Sequence, residues 1–320
     1  MRRPLLLMGV LAGVLLVPAA ALAATPYTTP EGDTVQVSFS PSLAPDPAVA
    51  QSYVDFLGSL PHGSELSSLD VEIVAPSEIQ ADCGGEDGTL ACYSSQTHTM
   101  TVPDAPIDAT TDGISTAYII AHEYGHHVAT FRDDAPFPAI DYGPKYWSSY
   151  EQVCLGSLQG RLFPGNEGRF YFENPGEAWA ETYAHLVFPD VEWRFAPSLQ
   201  PTPASLAAAR RDVTSPWQGN VTKTFTGKFT STSSNARHFK FRLTLDGALS
   251  VALHGPSGTN FDLALVSRGK VEKRTTAAGS SDTISYPNGA CRETPTETVT
   301  LSVSRKKGNG AFSVKVSYAG

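Results

Sequence analysis

The stretch AHEYGHHV, residues 121–128, gathers three of the chain's eight histidines and one glutamate. His122 and His126 are four apart, and on a helix residues four apart share a face. Both imidazoles can then reach one zinc ion, for which histidine nitrogen is a common ligand. Glu123 lies about 100° round the helix from His122, close enough to touch a water on the metal without being a ligand itself. Zinc lowers the pKa of such a water toward 7, so Glu123 is the expected general base. This is the physical content of the H-E-x-x-H pattern.

A zinc site needs a third protein ligand, and NPGEAWAETYAHL, residues 174–186, offers one. Glu177 and Glu181 are again four apart and share a helix face. Glu177 is expected to bind the metal. Glu181 is expected to accept a hydrogen bond from the free ring nitrogen of a ligand histidine, which fixes the tautomer. Ala178, Trp179, Ala180, Tyr183 and Ala184 crowd both glutamates with apolar neighbours, which speaks against two solvated surface acids. Asp141 and His185 compete with Glu177 for the third position. His127 points about 100° away from His126 and is expected at the surface or behind the ligands. No G-x-S-x-G and no Gly-rich phosphate loop occurs, so a serine hydrolase or nucleotide enzyme has no support.

HEYGH followed by E-A-W-A-E-T-Y resembles the gluzincin zinc peptidases. The second motif is most similar to that of the peptidase domain of anthrax lethal factor and its relatives. The resemblance implies a zincin-like fold, a Zn2+ cofactor and a protein or peptide substrate. It puts the ligand role on Glu177 and makes Glu181 the acid that follows. It also implies a tyrosine shortly before the second helix to stabilise the oxyanion, and Tyr171 is the nearest candidate. A metzincin pattern is excluded, because positions 129 and 132 are Ala and Arg. The similarity spans residues 70–188, but its specific part is two short motifs.

Several elements must hold these residues. Spacing predicts a strand over 35–39, a helix over 47–60 and the alternating strand DVEIV over 70–74. Short β segments are expected near 90–94 and 97–102. Thr111 or Asp112 is expected to cap the HEYGH helix, which runs to about residue 131. Residues 133–144 read as a loop and 147–162 as a helix carrying Cys154. Asn174-Pro175 is a good cap and first position for a helix to about 188. Strand, extended segment and HExxH helix in this order would give an edge on which an extended peptide can pair.

Residues 1–24 read as an export signal: Arg2 and Arg3, an apolar run over 5–17, then Ala21-Leu22-Ala23. The apolar run is short of the roughly 20 residues that span a bilayer. Removing the signal takes the net charge from −9 to −11. Such acidity, with no basic block, leads to no expectation of a nucleic-acid or membrane partner. Four cysteines in an exported chain suggest two disulfides. Cys83 with Cys92 is the local choice, leaving Cys154 with Cys291, and other pairings stay open.

The expected fold is α+β: a zincin-like domain over 25–200, a linker over 201–217, and a small all-β sandwich over 218–320; the Pro- and Ala-rich stretch 199–217 reads as a short helix plus that linker. The sandwich is read from recurring strands at 222–229, 238–245, 249–253, 262–267, 299–304 and 312–317. LSVALHGPSGTNFDLALV, residues 249–266, and the closing VTLSVSRKKGNGAFSVKVSY resemble the bacterial pre-peptidase C-terminal domain. The expected function is a secreted, monomeric zinc endopeptidase. The competing expectation is an exported binding or adhesion protein whose zincin-like domain is catalytically silent.

Overall fold

The computed structural model describes residues 23–84, 88–111 and 113–320. The expected export signal therefore falls outside the described residues, apart from its last two. The chain is mixed helix and sheet. Its first sheet contains β1 (Thr25–Thr28), β2 (Thr34–Phe39), β3 (Asp70–Val74), β4 (Cys92–Ser94) and β5 (Thr99–Pro103), in the order β1-β2-β3-β5-β4. The inner three strands are parallel and both outer pairs are antiparallel. Val37, Val71, Ile73, Met100 and Val102 are buried and alternate with their neighbours. That period of two turns one face of the sheet to the helices.

Eight helices are described: α1 (Pro47–Ser59), α2 (Ile79–Asp82), α3 (Thr116–Thr130), α4 (Ala139–Tyr142), α5 (Lys145–Tyr150), α6 (Val153–Leu158), α7 (Pro175–His185) and α8 (Pro203–Thr214). Tyr53 and Leu57 of α1, Tyr124 and Val128 of α3, and Trp179 and Tyr183 of α7 close one core over the sheet. A two-residue hairpin, β6 (Thr110–Thr111) and β7 (Ile114–Ser115), leads into α3.

Two local expectations need correction. Thr111 does not cap α3, because it pairs with Ile114 in the hairpin; Asp112 lies outside the described residues. Ser115 is the cap, its hydroxyl accepting from the Tyr118 N–H at 3.2 Å. The single helix expected over 147–162 is two, α5 and α6, broken where Gln152 takes a left-handed conformation with φ 54°. The short helix expected with the linker is α8, and it packs onto the first core. Ala209 and Val213 enter the first core, and the Asp212 carboxylate accepts from the backbone N–H groups of Tyr146 and Trp147 at 3.0 and 2.8 Å.

The C-terminal part is two antiparallel four-stranded sheets sharing a second core. One has the order β13-β10-β15-β8, from β8 (Asn220–Phe229), β10 (Gly247–His254), β13 (Ser281–Ala290) and β15 (Gly310–Ala319). The other has the order β12-β11-β14-β9, from β9 (Ala236–Leu243), β11 (Asn260–Ser267), β12 (Lys270–Arg274) and β14 (Glu297–Lys307). Val251, Ile284, Val314 and Val316 of the first meet Phe241, Leu263, Leu301 and Val303 of the second. The six expected strands correspond to β8, β9, β10, β11, β14 and β15, the one over 238–245 overrunning β9 by two residues. β12 and β13 have no counterpart among them; all five residues of β12, KVEKR, are exposed and show no apolar alternation. Cys83 pairs with Cys92 and Cys154 with Cys291. Among the described residues no helix is long and apolar enough to cross a membrane.

Candidate metal centre

The centre is built where α3 crosses α7. Asn174 caps α7, its Oδ1 accepting from the Gly176 N–H at 3.0 Å and from the Gly165 N–H of the preceding loop at 3.1 Å. Pro175 at the first helical position needs no donor partner. Every residue of α7 is buried, which is why so many are alanine. Gly125, directly before His126, is the contact point: a Cβ there would come within 2.8 Å of the Ala180 Cα. Its carbonyl accepts from the Trp179 indole N–H at 2.8 Å, so the crossing is both close and hydrogen-bonded.

That crossing brings His122, His126 and Glu177 together, with one donor atom from each lying within 4.8 Å of the others. Nε2 of His122 lies 3.3 Å from Glu177 Oε2, and Nε2 of His126 lies 3.2 Å from Glu177 Oε1. Both imidazoles thus aim the same nitrogen at one carboxylate. Behind them, Nδ1 of His122 meets Glu181 Oε2 at 3.0 Å. The side chains of His122, His126 and Glu177 are 13 %, 12 % and 8 % exposed, so the set is sheltered yet reachable.

The electrostatics call for positive charge. Burial by itself would lower the His122 pKa, but its hydrogen bonds to Glu177 and Glu181 and the nearby charge of Glu123 hold it well above the usual value. His126 is likewise raised, burial being outweighed by Glu177. Burial favours a neutral Glu177, yet His126 and His122 hold its carboxyl well below the usual range. Protons on the two imidazoles balance the carboxylates here, and a divalent cation between the same atoms would balance them equally well. Two imidazole nitrogens and a carboxylate oxygen are a donor set suited to zinc. The residues present therefore fit the ion.

Glu123 lies near enough to feel the charges of His122, His126 and Glu177. Burial raises its carboxyl above the usual range, and the two imidazoles only partly offset this. Tyr171 sits in a short 3-10 turn, Tyr171–Glu173, just before α7. Burial and the adjoining Glu177 carboxylate raise its hydroxyl far above the ordinary tyrosine value, so it stays protonated and can donate.

Asp141 and His185 do not join the set. Asp141 is half-buried on α4, its carboxyl raised by burial. His185 is buried against Tyr118, ring centroids 6.2 Å apart, and burial lowers its pKa. His127 is not a surface residue but lies fully buried in the core. Its Nε2–H donates to the Glu65 carbonyl at 2.8 Å, Nδ1 accepts from the Tyr93 hydroxyl at 3.1 Å, and burial lowers its pKa to about 4.

Two neighbours have no sequence signal. Glu167, in the loop before α7, is exposed as a residue, but partial burial of its carboxyl and the adjoining Glu177 carboxylate lift it to about 7, and it accepts from Asn174 Nδ2 at 2.8 Å. Phe195 lies nearly parallel to the His122 ring, centroids 6.3 Å apart. Both come from irregular segments, where no periodicity tells which way a side chain faces.

No family model matches the chain, and no curated protein matches it. The solved structures similar to it include the pre-peptidase C-terminal domain of a collagenase from Bacillus anthracis, the family that residues 218–320 resemble. It is 13 % identical over 30 % of this chain and 89 % of that one, with a TM-score of 0.26. PliG, a periplasmic inhibitor of g-type lysozyme from Aeromonas hydrophila, is 8 % identical over 31 % of this chain and 85 % of that one, with a TM-score of 0.20. Dimeric latent PorU from Porphyromonas gingivalis is 11 % identical over 32 % of this chain and 14 % of that one, also with a TM-score of 0.20. Likenesses of this size assign the chain neither a family nor an activity; its chemistry rests on the side chains around His122.

Proposed function

We propose that the protein is an exported zinc-dependent peptidase, with a zincin-like catalytic domain, that cleaves internal peptide bonds. The observation that carries this reading is the convergence of His122 Nε2, His126 Nε2 and Glu177 on one point, with Glu123 beside it. His122, His126 and Glu177 would hold the ion, and Glu181 would keep His122 turned toward it through Nδ1. A zinc ion bound there would supply Lewis acidity and make water a better nucleophile near neutral pH. Glu123 takes the proton of the attacking water and returns it to the departing amine, as a carboxylate lifted by burial is suited to do. The protonated Tyr171 hydroxyl donates to the negative charge that develops on the carbonyl oxygen. Export is supported by the reading of residues 1–24 and by the two disulfides.

The test compares the purified protein with Glu123→Gln by metal analysis and casein cleavage. Zinc is expected in both, with cleavage reduced about 10²- to 10⁴-fold in the variant, the usual contribution of a general base. A protein without zinc, or a variant as active as the parent, overturns the reading. Zinc bound equally by both, with no cleavage by either, would instead favour a binding protein with a silent metal centre.

A further inference from the structure

The net charge of −9 conceals a division. Residues 25–217 hold 7 Lys and Arg against 26 Asp and Glu, whereas residues 218–320 hold 14 against 6. A half carrying −19 is joined to one carrying +8. Fields of exposed charges fade over about 8–10 Å at physiological salt, so each half presents its own sign to a partner.

Most acids of the C-terminal half are used internally. Asp246 is buried and takes Arg292. Asp262, 7 % exposed, faces Lys306 at 3.6 Å. Asp282 accepts from the Thr275 hydroxyl, Glu297 from Ser267, and Glu293 pairs with Arg268. Glu272 is exposed on β12.

The cations are spread differently. His238, Lys240 and Arg242 alternate along β9 and are all exposed, while Phe239, Phe241 and Leu243 on its other face pack toward the core. β9 is the edge of its sheet. The neighbouring strand sets Ser302, Thr300 and Thr298 beside the three basic residues, so hydroxyls and not carboxylates flank them. Among the described residues no carboxylate forms an ion pair with Lys240 or Arg242. Alternate positions on a strand are about 7 Å apart. The result is two like charges, Lys240 and Arg242, in line with His238 on a strand backed by the sheet.

We propose that this outer face of β9 binds a linear polyanion, specifically an acidic polysaccharide. Nucleic acid is disfavoured because no Phe, Tyr or Trp ring of this half is among its exposed large apolar side chains, so the face lacks a broad platform for base stacking. The two disulfides belong to an oxidising, extracellular type of compartment, where acidic polysaccharides are a common polyanion. The inference goes beyond the peptidase reading and does not depend on the metal centre.

The test measures binding of the full chain to heparin, a sulfated linear polysaccharide, beside neutral dextran and a single-stranded DNA oligomer. Heparin is expected to bind at about 50 mM salt and release steeply toward about 200 mM. Dextran should not bind, and DNA should bind more weakly than heparin. Lys240→Glu with Arg242→Glu should cost at least about tenfold in heparin affinity. Lys228→Glu with Lys315→Glu, the same charge change on the opposite sheet, should cost less than about twofold. Lys240→Gln with Arg242→Gln replaces the reversed pair if that fails to fold. No binding of the intact chain at low salt overturns the proposal, as does an equal loss from both pairs. DNA held as tightly as heparin overturns the polysaccharide assignment.

Discussion

His122 is held at both ring nitrogens, by Glu181 at Nδ1 and by Glu177 at Nε2, and only the second of these is a ligand contact. Removing the first should leave the ligands in place but loosen the ring. Glu181→Gln is therefore expected to weaken zinc binding about 10- to 100-fold, measured by competition with a chromogenic chelator. Unchanged affinity would mean that the ring is oriented by its packing alone. This much was legible in the sequence, because a spacing of four fixes which residues share a helix face. Glu167 and Phe195 were not, because they reach the centre from irregular segments through contacts that exist only once α7 is docked. A different residue contributes to the pH dependence of stability, beside the buried Asp134 and Asp212, which are raised similarly. Glu151 is pushed up to about 7, chiefly by burial, and its Oε1 has no hydrogen-bond partner among the described residues. Its folded pKa lies above its unfolded value, so its contribution is full below about pH 4.5 and is lost as pH rises through 7. Glu151→Gln removes that loss. The variant should gain about 1–3 kcal/mol over the parent at pH 8 and little at pH 5. Melting curves at the two pH values check this, and an equal shift at both would refute the assignment.

At the level of elements, the centre depends on how closely two helices can approach. Gly125 and the alanines of α7 set that distance, and a Cβ at position 125 would meet the backbone of Ala180 at 2.8 Å for Cα and 3.1 Å for the carbonyl oxygen. Backbone cannot swing aside as a long side chain can. Gly125→Ala should therefore separate α3 from α7, despite alanine's better helix propensity. The expected cost is about 1–3 kcal/mol of stability, with a larger loss of zinc affinity because Glu177 rides on the helix that moves. Chemical denaturation and zinc titration read the two separately. A variant more stable than the parent, as propensity alone would give, would show that the contact yields. The expectations that failed at this scale share a cause. The sequence from 147 to 162 has helical spacing throughout, and only the left-handed turn at Gln152 ends α5, a position where glycine would have advertised the break. Thr111 is a good cap by type but is spent on a hairpin. α8, which begins at Pro203, was legible as a short helix, but its docking was not, because that depends on Asp212 reaching α5.

At the scale of the whole molecule, the two cores are fastened at one seam. Lys145, on α5, is fully buried; it pairs with Asp134 at 2.6 Å and donates to the Asp246 carbonyl of the β part at 3.0 Å. Arg292 is 1 % exposed, bonds Asp246 Oδ1 at 3.0 Å and donates to the Ser149 carbonyl across the seam. Ser149 Oγ accepts from the Asp246 N–H at 2.9 Å. The Cys154–Cys291 disulfide lies beside them and closes a loop of 137 residues. Buried charges of this kind hold a geometry because leaving one unpartnered costs about 3–5 kcal/mol. If the parts came apart, Lys145 and Arg292 would lose partners that water replaces only after the seam opens fully. The intact protein is therefore expected to unfold in one cooperative calorimetric transition. Cys154→Ala with Cys291→Ala should lower that transition, with a loss approaching the roughly 5 kcal/mol that chain entropy assigns to a loop of this length. The polar seam should keep the two cores melting together even then. Two separated transitions in the unmutated, oxidised protein would show that the seam does not couple them, and that the β part is a tethered neighbour and not a fixed one.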